Sequence, residues 1–97
     1  TQNLIPARLA TDLATKQAQE REQFGKPIAR FGLVQEMLAG MHADLYAMES
    51  GTLLAAGLID RGTKDNLLES AACKIFATET LWLVANDALQ VAGGMGF

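Results

Sequence analysis

Arg21, Phe24 and Lys26 are the side chains best suited to chemistry with a ligand, and they fall within one stretch, Glu20-Arg21-Glu22-Gln23-Phe24-Gly25-Lys26-Pro27-Ile28-Ala29-Arg30-Phe31. An arginine presents a rigid fork of donors that matches phosphate oxygens, and a phenylalanine offers a flat face to a ring system. Basic groups on a connection between helices can reach a phosphate, with the aromatic between them to meet a ring. Solvated charge around a packed Phe is the simpler reading of the same residues. The run Gly93-Gly94-Met95-Gly96 is the other place where backbone could approach a ligand closely. It lacks the preceding strand and the spacing of a dinucleotide-binding turn, and it lacks the Lys-Ser/Thr of a phosphate loop. Taken alone it reads as a helix stop.

The remaining reactive residue types point to structure. His42 is the single histidine, and with only Asp44 and Glu49 nearby it has too few correctly spaced ligands for a metal. It reads as a surface or interhelical histidine. Cys73 has no second Cys and no nearby His, which makes it a packed thiol and not a nucleophile. Glu36, Glu49 and Glu79 lie on helices, but none belongs to the Glu-x-x-His pattern of a di-iron centre. Solvation, capping or an ion pair accounts for each.

The elements that must position these residues read as helices over about 3–19, 31–60 and 66–92. In the first, Ile5, Leu9 and Leu13 recur every four residues and are expected to form the buried stripe, with Arg8, Asp12 and Lys16 on another face. Pro6 fits a first helical turn, or else an upstream helix is kinked there. In the second, Val34, Leu38, Met41, Leu45, Met48, Thr52, Ala55 and Ile59 alternate steps of four and three. That spacing holds one seam toward a partner, as in an up-down bundle, over roughly 45 Å of helix. Gly32, Gly40, Gly51 and Gly57 weaken this helix unless they permit close backbone approach, and a break near Gly51 is the alternative. Asp60 to Asp65 forms a polar connection in which Gly62 ends a helix, and Asn66 with Glu69 resembles a capping box. In the third helix, Leu68, Ala71, Ile75, Thr78, Trp82, Ala85 and Leu89 form the expected stripe, and Gly93-Gly94 stops it. The fold class is therefore all-α, with antiparallel up-down helices.

Composition removes several function classes. The 97 residues suit a single small domain, and 49% of them are hydrophobic, enough to build a core. A net charge of −3, from 8 basic and 11 acidic residues without a long single-sign block, provides no footprint for a nucleic-acid backbone. One cysteine cannot form an internal disulfide, which favours an intracellular compartment. No apolar run approaches the roughly 20 residues of a membrane span. The chain opens in a helical pattern and closes on apolar residues, so an excised piece of a longer protein is expected.

Four segments, in order, carry a family resemblance: Arg21-Glu22-Gln23-Phe24-Gly25-Lys26-Pro27-Ile28, Phe31-Gly32-Leu33-Val34-Gln35-Glu36-Met37-Leu38-Ala39, Glu69-Ser70-Ala71-Ala72-Cys73-Lys74-Ile75-Phe76-Ala77-Thr78-Glu79, and Ala88-Leu89-Gln90-Val91-Ala92-Gly93-Gly94-Met95-Gly96-Phe97. Together they resemble the carboxy-terminal helical domain of acyl-CoA dehydrogenases over essentially all 97 residues. The Phe-Gly-Leu-Val-Gln-Glu wording and Met48-Glu49-Ser50 are most similar to the very-long-chain branch. The resemblance implies three of the four helices of that domain's bundle, within an FAD-dependent enzyme that converts acyl-CoA to trans-2-enoyl-CoA in β-oxidation. In such an enzyme a glutamate removes the α-proton, the β-hydrogen leaves as hydride to the flavin, and electron-transfer flavoprotein takes the electrons.

The resemblance also assigns residues. Arg21 matches the arginine that reaches the phosphate portion of the neighbouring subunit's FAD, and Phe24 matches the aromatic beside it. Gln90, Val91, Ala92, Gly93 and Gly94 match the segment that meets FAD across the interface of a homo-oligomer, a dimer or tetramer. The family's base glutamate matches no residue of this chain, so Glu20, Glu22 and Glu79 are not promoted to that role, and the 97 residues alone are expected to be inactive. The implied location is cytoplasmic in a bacterium and the mitochondrial matrix in a eukaryote. Two rivals stand beside this reading: a helical oligomerisation module without activity, and part of an acyl-CoA oxidase, which passes electrons to oxygen.

Overall fold

The computed structural model describes residues 2–62 and 65–96, which form a rod of 57 × 22 × 17 Å. Helix α1 spans Leu4–Glu20. A two-stranded hairpin follows, β1 (Glu22–Gln23) and β2 (Lys26–Pro27), and then a single 3₁₀ turn over Ile28–Arg30. Helices α2 (Gly32–Asp60) and α3 (Leu67–Ala92) complete the fold, and a 3₁₀ turn over Gly93–Gly96 ends it. No described helix is long and apolar enough to cross a membrane.

Local chemistry explains most of the boundaries. Pro6 lies in the first turn of α1, where its missing N–H has no helical acceptor to lose. Helix α2 runs unbroken through Gly51. Just past the cap residue Arg61 it is terminated by Gly62, whose φ of 74° is open to glycine and whose N–H donates to the Ile59 carbonyl at 3.0 Å. Thr63 and Lys64 of the expected polar connection lie outside the described residues. At the start of α3, Asn66 occupies the cap position and its carbonyl accepts from Ser70 at 2.9 Å, but its side chain makes no capping hydrogen bond. The capping-box expectation fails there because φ −119° and ψ 15° depart from the extended backbone that aims a side chain at the first free amides.

The helices run up, down and up. Thr15 meets His42 and Arg8 meets Glu49, which sets α1 and α2 antiparallel, and Thr52 beside Cys73 does the same for α2 and α3. The outer two, α1 and α3, therefore lie side by side and parallel. Their packing brings the end of α1 at Arg21 to the end of α3 at Ala92.

The core is made mostly of small residues. Ala7, Ala14, Ala18, Met41, Met48, Ala77, Val84 and Val91 are buried, with Thr11 and Thr80 among them. The buried Thr11 hydroxyl is satisfied by the Ala7 carbonyl one turn back, at 2.8 Å. In α2 the inward line matches the four-three seam through Val34, Leu38, Met41, Leu45 and Met48, with Thr52 and Ala55 half-buried, but the last member of the seam, Ile59, is exposed. In α1 and α3 the expected stripes are on the wrong face. Ile5, Leu9 and Leu13 are exposed, as are Leu68, Ala71, Ile75, Thr78, Trp82 and Leu89, while Ala85 is half-buried.

The inward line of α1 is Ala7, Thr11, Ala14 and Ala18, and that of α3 includes Cys73, Ala77, Thr80, Val84 and Val91. Both helices are apolar on more than one face, and periodicity fixes a face without saying which one turns inward. Small side chains let two backbones approach at the short end of the usual 8–10 Å spacing, and that packing selects the alanine face. The glycines of α2 serve no such approach: a β-carbon at Gly32, Gly40, Gly51 or Gly57 would meet nothing within 4 Å.

Candidate functional site

The stretch after α1 turns within six residues. Glu22 pairs with Pro27 and Gln23 with Lys26, which leaves Phe24 and Gly25 as a two-residue turn. Their φ values are 56° and 84°, the pair of positive values that a type I′ hairpin turn requires. Gly25 adopts this without cost, whereas Phe24 is the sole described non-glycine residue at positive φ and carries about 1–2 kcal/mol of strain. Its ring is 92% exposed, so it is not the packed Phe of the simpler reading. Phe31 meets it edge-on, with centroids 6.2 Å apart and planes at 80°. Lys26 does not reach out as a second phosphate ligand, because its ammonium sits 4.5 Å from the centre of the Phe31 ring.

Arg21 stands at the base of the hairpin, three residues before the tip. Its backbone is held on both sides: its N–H donates to the Gln17 carbonyl at 2.9 Å, and its carbonyl accepts from Ile28 at 2.8 Å. The side chain is partly buried and crosses to the far end of the chain, where Nη1 donates to the Ala92 carbonyl at 3.4 Å. Among the described residues no carboxylate lies within 4 Å of it. Next to the guanidinium is an open cavity of about 490 Å³ lined by Gln17, Glu20, Arg21 and Gly94. The charge of this arginine is thus available to an anion.

The two sequence regions singled out for ligand contact therefore meet. Gly93 caps α3 with φ 63° and ψ −133°, and its N–H bonds to the Gln90 carbonyl. Gln90, Gly93 and Gly94 are exposed, and Ala92 is partly buried. Val91 points into the core at 5% exposure, which leaves only its backbone for a ligand. Phe24, at the hairpin tip, is separate from the Arg21–Gly93 contact. Sequence reasoning missed the hairpin and the cavity residues Gln17 and Glu20. The one signal for the hairpin is a glycine as the second of two residues between short extended pairs, hidden by Phe where Asn or Asp is usual.

The other reactive residues are structural. Thr15 has a single hydroxyl hydrogen, and its 2.8 Å contact to the Thr11 carbonyl uses it. It therefore accepts from His42, whose Nε2 lies 3.1 Å away and carries a proton in that contact. Cys73 is half-buried, 4.0 Å from the Thr52 hydroxyl. Glu49 pairs with Arg8 at 3.1 Å. The described residues contain no cluster of three or more His, Cys, Asp or Glu able to hold a metal.

With this geometry established, comparison with known proteins decides the family. The model of the acyl-CoA dehydrogenase carboxy-terminal domain matches residues 1–97. The chain belongs to the acyl-CoA dehydrogenase family. The very-long-chain specific acyl-CoA dehydrogenase of mouse mitochondria is 43% identical over 84 residues, covering 87% of this chain and 13% of that protein. Cyclohex-1-ene-1-carbonyl-CoA dehydrogenase of Geobacter metallireducens is 42% identical over 91 residues, covering 94% of this chain and 24% of its own. The structure of butyryl-CoA dehydrogenase from Megasphaera elsdenii superposes with a TM-score of 0.95 at 30% identity, over 99% of this chain and 25% of that one.

These relatives are named for different acyl groups. The chain spans between about an eighth and a quarter of the length of the relatives it matches.

Proposed function

We propose that this chain is the cofactor-sharing helical part of an FAD-dependent acyl-CoA dehydrogenase that oxidises acyl-CoA to trans-2-enoyl-CoA in β-oxidation and passes electrons to electron-transfer flavoprotein. In this reading Arg21, Phe24 and the Gln90–Gly94 segment face the FAD of a neighbouring subunit in a dimer or tetramer. The protein works in the cytoplasm of a bacterium or the mitochondrial matrix of a eukaryote.

The observation that carries the reading is the Arg21 guanidinium: half-buried, without a carboxylate partner among the described residues, and set against a glycine pair beside an open cavity. That donor set fits a phosphate, because a fork of N–H groups and exposed glycine backbone can surround its oxygens. Exposed Glu20 at the rim sets a limit on how closely an anion approaches from that side. The exposed Phe24 ring, held out in a strained turn, fits a contact with another chain's cofactor better than it fits a role in this chain's core. FAD supplies the two-electron acceptor when bound. This chain's residues hold and orient it, and the base that removes the α-proton is supplied from elsewhere in the enzyme.

The test uses the full-length enzyme. Enoyl product from palmitoyl- or octanoyl-CoA with an artificial electron acceptor, without peroxide, is the expected result, whereas peroxide would indicate the oxidase. In the same protein Arg21→Lys keeps the charge but loses the fork, and FAD affinity is expected to fall at least about tenfold. Unchanged affinity removes Arg21 from the site.

A further inference from the structure

We infer that the end of α3, through the Ala92 carbonyl and the absent side chain of Gly93, is a positioning device that selects the one Arg21 rotamer able to meet a phosphate. The inference rests on the flavin-phosphate reading of Arg21. A β-carbon built on Gly93 would lie 2.8 Å from Arg21 Nη1, closer than side chains pack, so another residue there moves the tip of the flexible arginine side chain, while the 3.7 Å to Cζ is ordinary contact. At Gly94 the same β-carbon would meet nothing within 4 Å. The demand for glycine is therefore specific to one position of the pair, and it has two sources: the φ of 63°, which strains any other residue, and the guanidinium of an arginine 71 residues away.

The geometry also says which edge of the arginine is left to work. Its backbone is pinned by Gln17 and Ile28, which leaves the side-chain torsions as its remaining freedom. The Ala92 carbonyl lies at the end of a 26-residue helix, where the helix dipole favours a cation. It takes one N–H of Nη1, and the edge formed by Nε and Nη2 remains for two oxygens of an anion. A neutral carbonyl aims the guanidinium without neutralising it. A carboxylate in that place would compete with the phosphate.

The test compares full-length apoenzyme as wild type, Gly93→Ala, Arg21→Ala and the double variant, by FAD titration and by amide hydrogen exchange over residues 20–28 and 88–96. Arg21→Ala should weaken FAD by about thirtyfold and Gly93→Ala by about tenfold, in the range for a charge-assisted hydrogen bond misplaced or lost. On top of Arg21→Ala, Gly93→Ala should cost clearly less than it does alone, since the strain of a side chain at φ 63° remains but no guanidinium is left to displace. A Gly93→Ala penalty of equal size in both backgrounds means the glycine acts through its own backbone, and the positioning role falls while the flavin contact stands. No loss of affinity in Arg21→Ala refutes the flavin contact itself. Exchange settles the tie without cofactor and without a folded Gly93→Ala: Arg21→Ala should speed both segments several-fold, and an unchanged pattern overturns the proposal.

Discussion

Replacing Ala7 with Leu is expected to destabilise the 97-residue chain more than removing the much larger Leu9 side chain does. Ala7 is 0% exposed at the meeting of α1 with its neighbours, and three added carbons have no room there. Overpacking of this kind costs about 1–3 kcal/mol. Leu9 is 58% exposed, so Leu9→Ala forfeits less than half of a full leucine burial, about 1 kcal/mol, and regains about 0.2 kcal/mol in helix propensity. Thermal unfolding by circular dichroism at one low concentration separates the two. For a domain of this size each kcal/mol moves Tm by about 4–8 °C, so a cost of about 2 kcal/mol at Ala7 lowers it by roughly 8–16 °C. Had Ile5, Leu9 and Leu13 formed the core, Leu9→Ala would cost about 2–5 kcal/mol and Ala7→Leu almost nothing. That ordering would refute the alanine-face packing.

Met48→Ala, at a site 1% exposed in the centre of α2, should cost about 2–5 kcal/mol in urea denaturation, and a loss below 1 kcal/mol would mean the seam is not packed as described. Phe24→Asn should leave stability within about 1 kcal/mol, because relief of left-handed strain offsets the lost edge contact with Phe31. A larger drop in Tm would show that the ring supports the hairpin. The exposed leucines, Ile75 and Trp82 predict self-association of the isolated chain, and sedimentation at several concentrations that finds only monomer rejects it.

The number and order of the helices were legible because their signals are local: a first-turn proline, a terminal glycine, and a four-three seam in α2. The inward faces of α1 and α3 were not. Leu9 and Ala7 are both apolar residues on a helix, and the decision between them depends on how closely α1 approaches its neighbours, a distance no sequence window contains. The hairpin was hidden for a related reason. Phe24 at positive φ contradicts its own backbone preference, and such conflicts are held only by surrounding structure. For the candidate site, the residue types were visible in sequence, and the family resemblance joined Arg21 to Gly93 in one role. Their direct contact, and the close approach of position 93 but not of 94 to the guanidinium, emerged only once parallel packing brought the two helix ends together.

The parallel pairing of α1 with α3 also has a kinetic consequence. Contacts between successive helices close shorter loops, with separations of 27 residues for Thr15 to His42 and 21 for Thr52 to Cys73, whereas Arg21 to Ala92 closes 71. On a flexible-chain estimate, the longest of these loops costs about 1 kcal/mol more to close than the shortest. Pairing of successive helices is then favoured first, with the two loops only about 0.2 kcal/mol apart, and the contact of Arg21 with Ala92 closes after them.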